Sequence, residues 1–135
     1  MTNQLISAVI AALIRIESGG DPGAVGDDGR AVGVLQMWPC AVAEANRIVG
    51  RELWTLDDRW NPQLSRAMCK VTLEWHYKRG VTDPVELACR WRNPQGNAPE
   101  WHKAKIRKAA LAELQRLESA KHAERDGDTT REGEQ

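Results

Sequence analysis

The chain contains no phenylalanine and a single tyrosine among its 135 residues, yet it carries six tryptophans. Its aromatic surface therefore sits almost entirely in side chains that pair a flat apolar face with an N–H donor, which suits a wet groove as well as a core. Cysteine is scarce and odd in number: Cys40, Cys69 and Cys89, with no C-x-x-C pair. This excludes a complete disulfide framework and any zinc-ligand spacing. One disulfide stays possible; the expectation is reduced, small core fillers in a chain made in a cytoplasm. Net charge is also missing, since 19 Lys plus Arg balance 19 Asp plus Glu. A nucleic-acid wrapper or a polybasic membrane binder, whose affinity rests on excess positive charge, is thereby disfavoured. No apolar run approaches the ~20 residues that cross a bilayer, so stable membrane insertion is not expected. His76, His102 and His122 share no ligand spacing with one another or with the cysteines, so neither a metal nor a cofactor is expected. There is no internal repeat.

What remains is an ordinary globular mixture, 41% hydrophobic and 28% charged, in a chain about one domain long. The longest apolar stretch, residues 5–14, has no positive charge ahead of it except the amino terminus, which argues against an export signal. Leu5, Val9, Leu13 and Ile16 instead fall at helical spacing and predict a buried first helix. Proline and glycine then punctuate the chain. Pro39 opens a helix that Gly50 closes, and Asn61 caps one with Pro62 at its first position and Gly80 past its end. Leu64, Met68, Val71 and Trp75 share a face of that helix. Asp83-Pro84 starts a short helix toward Trp91, and Pro99 begins a last one with Ile106, Ala110, Leu114 and Leu117 as its buried stripe. Residues 119–135 have almost no apolar side chains and read as a charged, disordered tail to a domain over residues 1–118. The fold class expected is mainly α: five helices around an irregular or hairpin-like insert near residues 24–36.

The chemistry concentrates where the first helix ends, at Glu17-Ser18-Gly19-Gly20. A carboxylate in a last helical turn faces the negative end of the macrodipole, and with partial burial its pKa rises. A carboxyl held protonated near neutral pH is what a general acid requires. The segment Gly26–Gln36 then brings Asp27 and Asp28 back ten and eleven residues later, with glycines that allow a tight return. Gln36 adds an amide and leads into Met37-Trp38-Pro39. One carboxylic acid, one carboxylate across a gap, an amide and nearby indoles make a site suited to splitting a glycosidic bond. An Asp-Gly turn whose acids only satisfy backbone N–H groups is the plainer alternative for Asp27 and Asp28.

The pattern Glu17-Ser18-Gly19, Asp21-Pro22-x-Ala24-Val25 and Gly29-x-Ala31-x-Gly33-x-x-Gln36 resembles the E-S-G…A-V…G-A-x-G-L-M-Q signature of soluble lytic transglycosylases. It is equally similar to goose-type and invertebrate-type lysozymes and to related phage endolysins, all in the lysozyme-like superfamily. The likeness is densest over residues 13–39. Beyond it, Asn61-Pro62 matches the opening of the next family helix, residues 87–96 resemble the loop lining the far side of the cleft, and Glu100-Trp101-His102-Lys103 resembles the stretch that follows.

The resemblance implies an α+β lysozyme-like domain acting on peptidoglycan glycan strands, with Glu17 as general acid. Asp27, nine residues before Gln36, takes the place of the goose-type general base, with Asp28 one residue off in register. Ser18, Gln36, Trp38, Trp91, Asn93 and Trp101 are the implied substrate-binding residues. Met37 and Trp38 stand where the family has a second Asp, and Trp91-Arg92-Asn93 carries one residue more than the family's Tyr-Asn pair. The leading expectation is a monomeric muramidase of the endolysin kind, hydrolysing the β-1,4 bond between N-acetylmuramic acid and N-acetylglucosamine. With no signal or wall-binding module read in the chain, it would be made in a host cytoplasm and reach the wall through a holin. A lytic transglycosylase, in which Glu17 is both acid and base, is the first alternative. A non-catalytic glycan-binding or phage structural protein is the second.

Overall fold

A computed structural model describes residues 2–133, and these follow the punctuation of the sequence closely. Helix α1 (Thr2–Glu17) leads to a two-stranded antiparallel hairpin, β1 (Val25–Gly26) and β2 (Ala31–Val32), joined by a 3-10 turn at Asp27–Gly29. Helices α2 (Pro39–Val49), α3 (Pro62–Lys78), α4 (Pro84–Arg92) and α5 (Glu100–Gly133) follow, with a further 3-10 turn at Leu56–Trp60 between α2 and α3. Among the described residues the architecture is thus five helices and one small sheet, and the α+β lysozyme-like class holds.

Helix starts are fixed by local chemistry. The Asn61 side chain accepts the N–H groups of Gln63 and Leu64 at 2.9 and 3.1 Å, and Asp83 accepts that of Glu86 at 3.0 Å. Each acceptor satisfies donors that the first turn cannot bond internally. Proline follows at the first helical position of α2, α3 and α4, where its missing N–H costs nothing.

Helix α1 is the hub of the core. Ile6, Val9, Ile10, Leu13 and Ile14 are all buried, on more of its circumference than the expected stripe, because α3, α4 and α5 pack around it. Full burial of each such side chain is worth about 1.5–3 kcal/mol before entropy is charged. The run that could be mistaken for an export signal is therefore the centre of the fold. In α3 the inward face is rotated from the expectation: Ser65, Met68, Cys69, Thr72, Leu73 and His76 are buried, while Leu64, Val71 and Trp75 flank them. Trp75 is half-buried rather than core, with the Arg79 guanidinium 3.6 Å from its ring centroid and Arg47 at 5.3 Å. The ring is thus faced by cations, a contact that indoles favour.

Two further differences concern single residues. Cys69 and Cys89 are buried fillers, but Cys40 is exposed in the first turn of α2, so it fills nothing. On α5, Ile106 and Ala110 are buried as expected, and the stripe continues through a charged residue, Glu113. That carboxylate is held by Arg15 at 2.9 Å and Arg116 at 3.2 Å, so its burial is compensated. Helix α5 carries its backbone on to Gly133, through the segment read as a tail. Residues 118–124 are exposed and add length without adding core. The side chains of Leu117 and of residues 125–133, and residues 134–135 altogether, lie outside what the structure describes.

Candidate active site

Glu17 is the last residue of α1, and the chain is tied down immediately after it. The Ser18 hydroxyl donates to the Val34 carbonyl at 2.7 Å and accepts the Gly20 N–H at 3.1 Å. This joins the end of α1 to the segment that follows the hairpin. The Glu17 side chain is only 5% exposed, and one of its oxygens lies 3.3 Å from an Arg92 guanidinium nitrogen at the end of α4. Burial raises its pKa above the ordinary carboxyl value; the nearby Arg92 and Lys105 pull it down, and Asp27 adds a small push upward. Desolvation outweighs the two cations, so Glu17 holds its proton more tightly than a free carboxyl does.

The hairpin brings the second acid. Asp27 and Asp28 both adopt left-handed backbone, at φ 49° and 56°, which turns the chain back within three residues. Asp27 is exposed, and its Oδ2 accepts the Trp38 indole N–H at 3.1 Å. The Arg30 guanidinium lies 5.4 Å from the centroid of the same indole, on its face. Trp38 is therefore gripped from two sides. Gln36, itself at φ 47°, donates its amide to the carbonyls of Ala24 at 3.0 Å and Gly33 at 3.1 Å. Its Oε1 lies 2.6 Å from where a Cβ at position 26 would stand, so a side chain there would displace the Gln36 amide. The hairpin is in turn bolted to the helical body by Arg59, whose Nη1 donates to the carbonyls of Arg30 and Met37 at 3.1 and 3.0 Å.

Glu17, Asp27, Gln36, Trp38 and Trp91 all line one cleft of about 700 Å³. Trp91 is half-buried, and its indole N–H donates to the Leu35 carbonyl at 3.4 Å. The other sequence candidates lie elsewhere. Asp28 is exposed at the tip of the turn, off the cleft wall. Ser18 spends its hydroxyl on backbone, and Asn93 ends α4, where its N–H donates to the Cys89 carbonyl at 2.8 Å. Trp101, in the first turn of α5, is 67% exposed and tilts against His102 rather than facing the cleft. Of the two aspartates, then, Asp27 shares the cleft with Glu17.

Several cleft residues carry no motif of their own. His76 is buried on the α3 wall, and burial, with Arg90 and Arg79 nearby, lowers its pKa despite Glu44. Cys40 and Glu44 on α2 and Arg90 and Arg92 on α4 complete the lining. Arg92 was readable as one of the arginines in the segment similar to the family's far-side loop, but its pairing with Glu17 requires the folded chain. Among the described residues no three or more His, Cys, Asp or Glu gather as a metal site. No helix among them is long and apolar enough to cross a membrane.

The arrangement places a buried carboxyl and an exposed one in a single groove walled partly by indoles. A family model described as Transglycosylase SLT domain matches residues 2–114. No curated protein and no solved structure matches the chain.

Proposed function

The chain belongs to the transglycosylase SLT domain family of the lysozyme-like superfamily, and on that premise we propose that it is a muramidase, hydrolysing the β-1,4 bond between N-acetylmuramic acid and N-acetylglucosamine. Family membership supports the coarser statement, an enzyme that acts on peptidoglycan. The choice of hydrolysis rests on one observation: Asp27, an exposed carboxylate, lines the cleft that holds the buried Glu17. Two carboxyl groups in opposed environments are the physical basis for assigning one as acid and the other as base.

In this reading protonated Glu17 gives its proton to the glycosidic oxygen as the bond from the muramic acid C1 breaks. Asp27 takes a proton from water as the water oxygen bonds to C1. One proton is given and one is taken, so the pair is reset by exchange with solvent. Trp38 holds the Asp27 carboxylate through its indole N–H and offers a face to a sugar ring.

The family description favours one other outcome. In a lytic transglycosylase Glu17 acts first as acid and then as base, and the muramyl 6-hydroxyl replaces water. The product is a 1,6-anhydro end, and Asp27 becomes a bystander.

Mass spectrometry of fragments released from purified peptidoglycan separates the two. Hydrated reducing ends, a drop of about 10²–10⁴ in rate for Asp27→Asn and a comparable loss for Glu17→Gln are expected. Anhydro ends, one water lighter, with Asp27→Asn near wild type, would replace hydrolysis by transglycosylation. Full activity in a folded Glu17→Gln variant would remove Glu17 from the mechanism.

A further inference from the structure

Arg92 presents a problem for any mechanism in which Glu17 is an acid. A guanidinium 3.3 Å from the carboxylate favours its ionised form, which cannot donate a proton. The pairing has an asymmetry that resolves this. Glu17 has a side chain only 5% exposed, so as an anion it gets little help from water and leans on its cation. Arg92 is 46% exposed, lies on the cleft wall, and pairs with Glu17 alone among the described acids. Its neighbour Arg90 is fixed instead: Nη1 donates to the Pro94 carbonyl at 2.9 Å, and its guanidinium carbon would be 2.8 Å from a side chain at Gly96. One cation in the cleft is locked and the other is free to change partner.

We infer that Arg92 is the specificity-determining residue of this site: it leaves Glu17 to bind a carboxylate of the glycan strand, so that an acidic substrate releases the general acid while a neutral one does not. This rests on the proposed role of Glu17. The substrate chemistry is a carboxylate beside the scissile bond, either the lactyl group of muramic acid or a group on its peptide stem. Planar guanidinium and carboxylate can pair through two parallel hydrogen bonds, a stronger contact than the single 3.3 Å approach made to Glu17. Once Arg92 has moved, Glu17 is faced by Lys105 from α5 and Asp27 from the hairpin turn, and burial remains the largest influence on its proton.

The test uses the whole chain and three glycan preparations: strands bearing peptide stems, strands stripped of peptides with free lactyl carboxylates, and stripped strands with those carboxylates amidated. The wild type is expected to prefer a carboxylated strand over the amidated one by about tenfold to a hundredfold in kcat/KM, the worth of one charge-assisted contact. A preference shared by stripped strands assigns the lactyl group; one confined to peptide-bearing strands assigns the stem. Arg92→Gln loses the preference. Arg92→Lys, which keeps the charge but not the fork, retains part of it.

The pH profile provides a readout that a structural role for Arg92 would not move. On carboxylated strands the alkaline limb of wild-type kcat lies at higher pH than that of kcat/KM, because Arg92 has left Glu17 in the complex. The separation shrinks on amidated strands and in Arg92→Gln. Equal wild-type rates on all three strands would overturn the inference, and that comparison needs no variant to fold. So would an unchanged preference in Arg92→Gln. A folded enzyme that cleaves none of the three strands would overturn the reading of the site, and this inference with it.

Discussion

Gly33 is where the hairpin meets the helical body most tightly, and Gly33→Ala tests whether that contact sets the cleft. Its φ is +82°, and an added Cβ would lie 2.0 Å from the carbonyl oxygen of Arg59. The obstacle is backbone in the Leu56–Trp60 turn, itself fixed by the Ser65 hydroxyl donating to that same carbonyl at 2.9 Å. A side chain in left-handed backbone costs about 1–2 kcal/mol. Overpacking against an unyielding neighbour adds about 1–3 kcal/mol, for a total of about 2–5 kcal/mol. That is a large share of the ~5–15 kcal/mol that holds a domain together. Gly29→Ala provides the control: φ is +89°, but nothing lies within 4 Å of the added atom, so only the backbone cost applies. Urea unfolding followed by tryptophan fluorescence gives both stabilities, and the difference between them isolates the clash. Because relief requires the hairpin to shift, Asp27, Gln36 and Trp38 move with it, and Gly33→Ala loses rate on peptidoglycan even where it remains folded. Two variants of equal stability and full activity would refute the close packing and the idea that it positions the cleft.

Glu17→Gln is expected to unfold at higher urea than the wild type at neutral pH, because burial raises the folded-state pKa and ionisation of the wild type costs stability as pH rises through it. The advantage vanishes below the unfolded pKa, and its absence at neutral pH would show that Arg92 fully compensates the buried charge. Trp38→Phe keeps an aromatic face but loses the N–H that holds Asp27, so kcat falls while KM changes little; a rise in KM alone would make Trp38 a sugar platform only. Arg59→Met removes a charged donor from the Arg30 and Met37 carbonyls and is expected to cost about 1.5–3 kcal/mol by urea unfolding, with a loss of rate as the hairpin loosens. Asp28→Gly stays within about 1 kcal/mol of wild-type stability and keeps its rate, since glycine takes left-handed backbone readily. Asp27→Gly loses activity, and equal rates for the two would dismiss Asp27 as base.

The fold was legible because its boundaries are written in residues that act locally. Pro39, Asn61-Pro62 and Asp83-Pro84 each start a helix for reasons internal to one turn, and all three begin where the sequence places them. Glu17, Asp27, Gln36 and Trp38 were legible because they lie within about twenty residues of chain and are brought together by one helix end and one hairpin. The rest depends on contacts between distant segments. The inward face of α3 is rotated because α1 and α4 pack on it, which periodicity along α3 does not contain. Glu113 reads as a surface acid until Arg15, from the other end of the chain, meets it. Trp101 lies within a family-like stretch yet faces outward, because that likeness fixes the start of α5 and not the rotation of its first turn.

The turn between β1 and β2 ties the site's chemistry to its backbone. Two consecutive aspartates hold left-handed φ values of 49° and 56°, in a turn where glycine would meet no such penalty. Strain of this kind persists where the surroundings over-determine it, and here both flanks are identifiable. Arg59 clamps the Arg30 carbonyl after the turn, and Trp38 holds the Asp27 carboxylate beside it. Asp28 contributes no carboxylate to the cleft, so its left-handed backbone is a consequence of the turn that Asp27 occupies. Relaxing position 27 to glycine would ease the turn and delete the only acid other than Glu17 that the hairpin and α1 bring to the cleft. The backbone cost at Asp27 is thus coupled to having a second carboxyl group in the cleft. In a transglycosylase, where the sugar's own hydroxyl attacks, nothing requires that carboxylate, and the strained aspartate would have no catalytic counterpart.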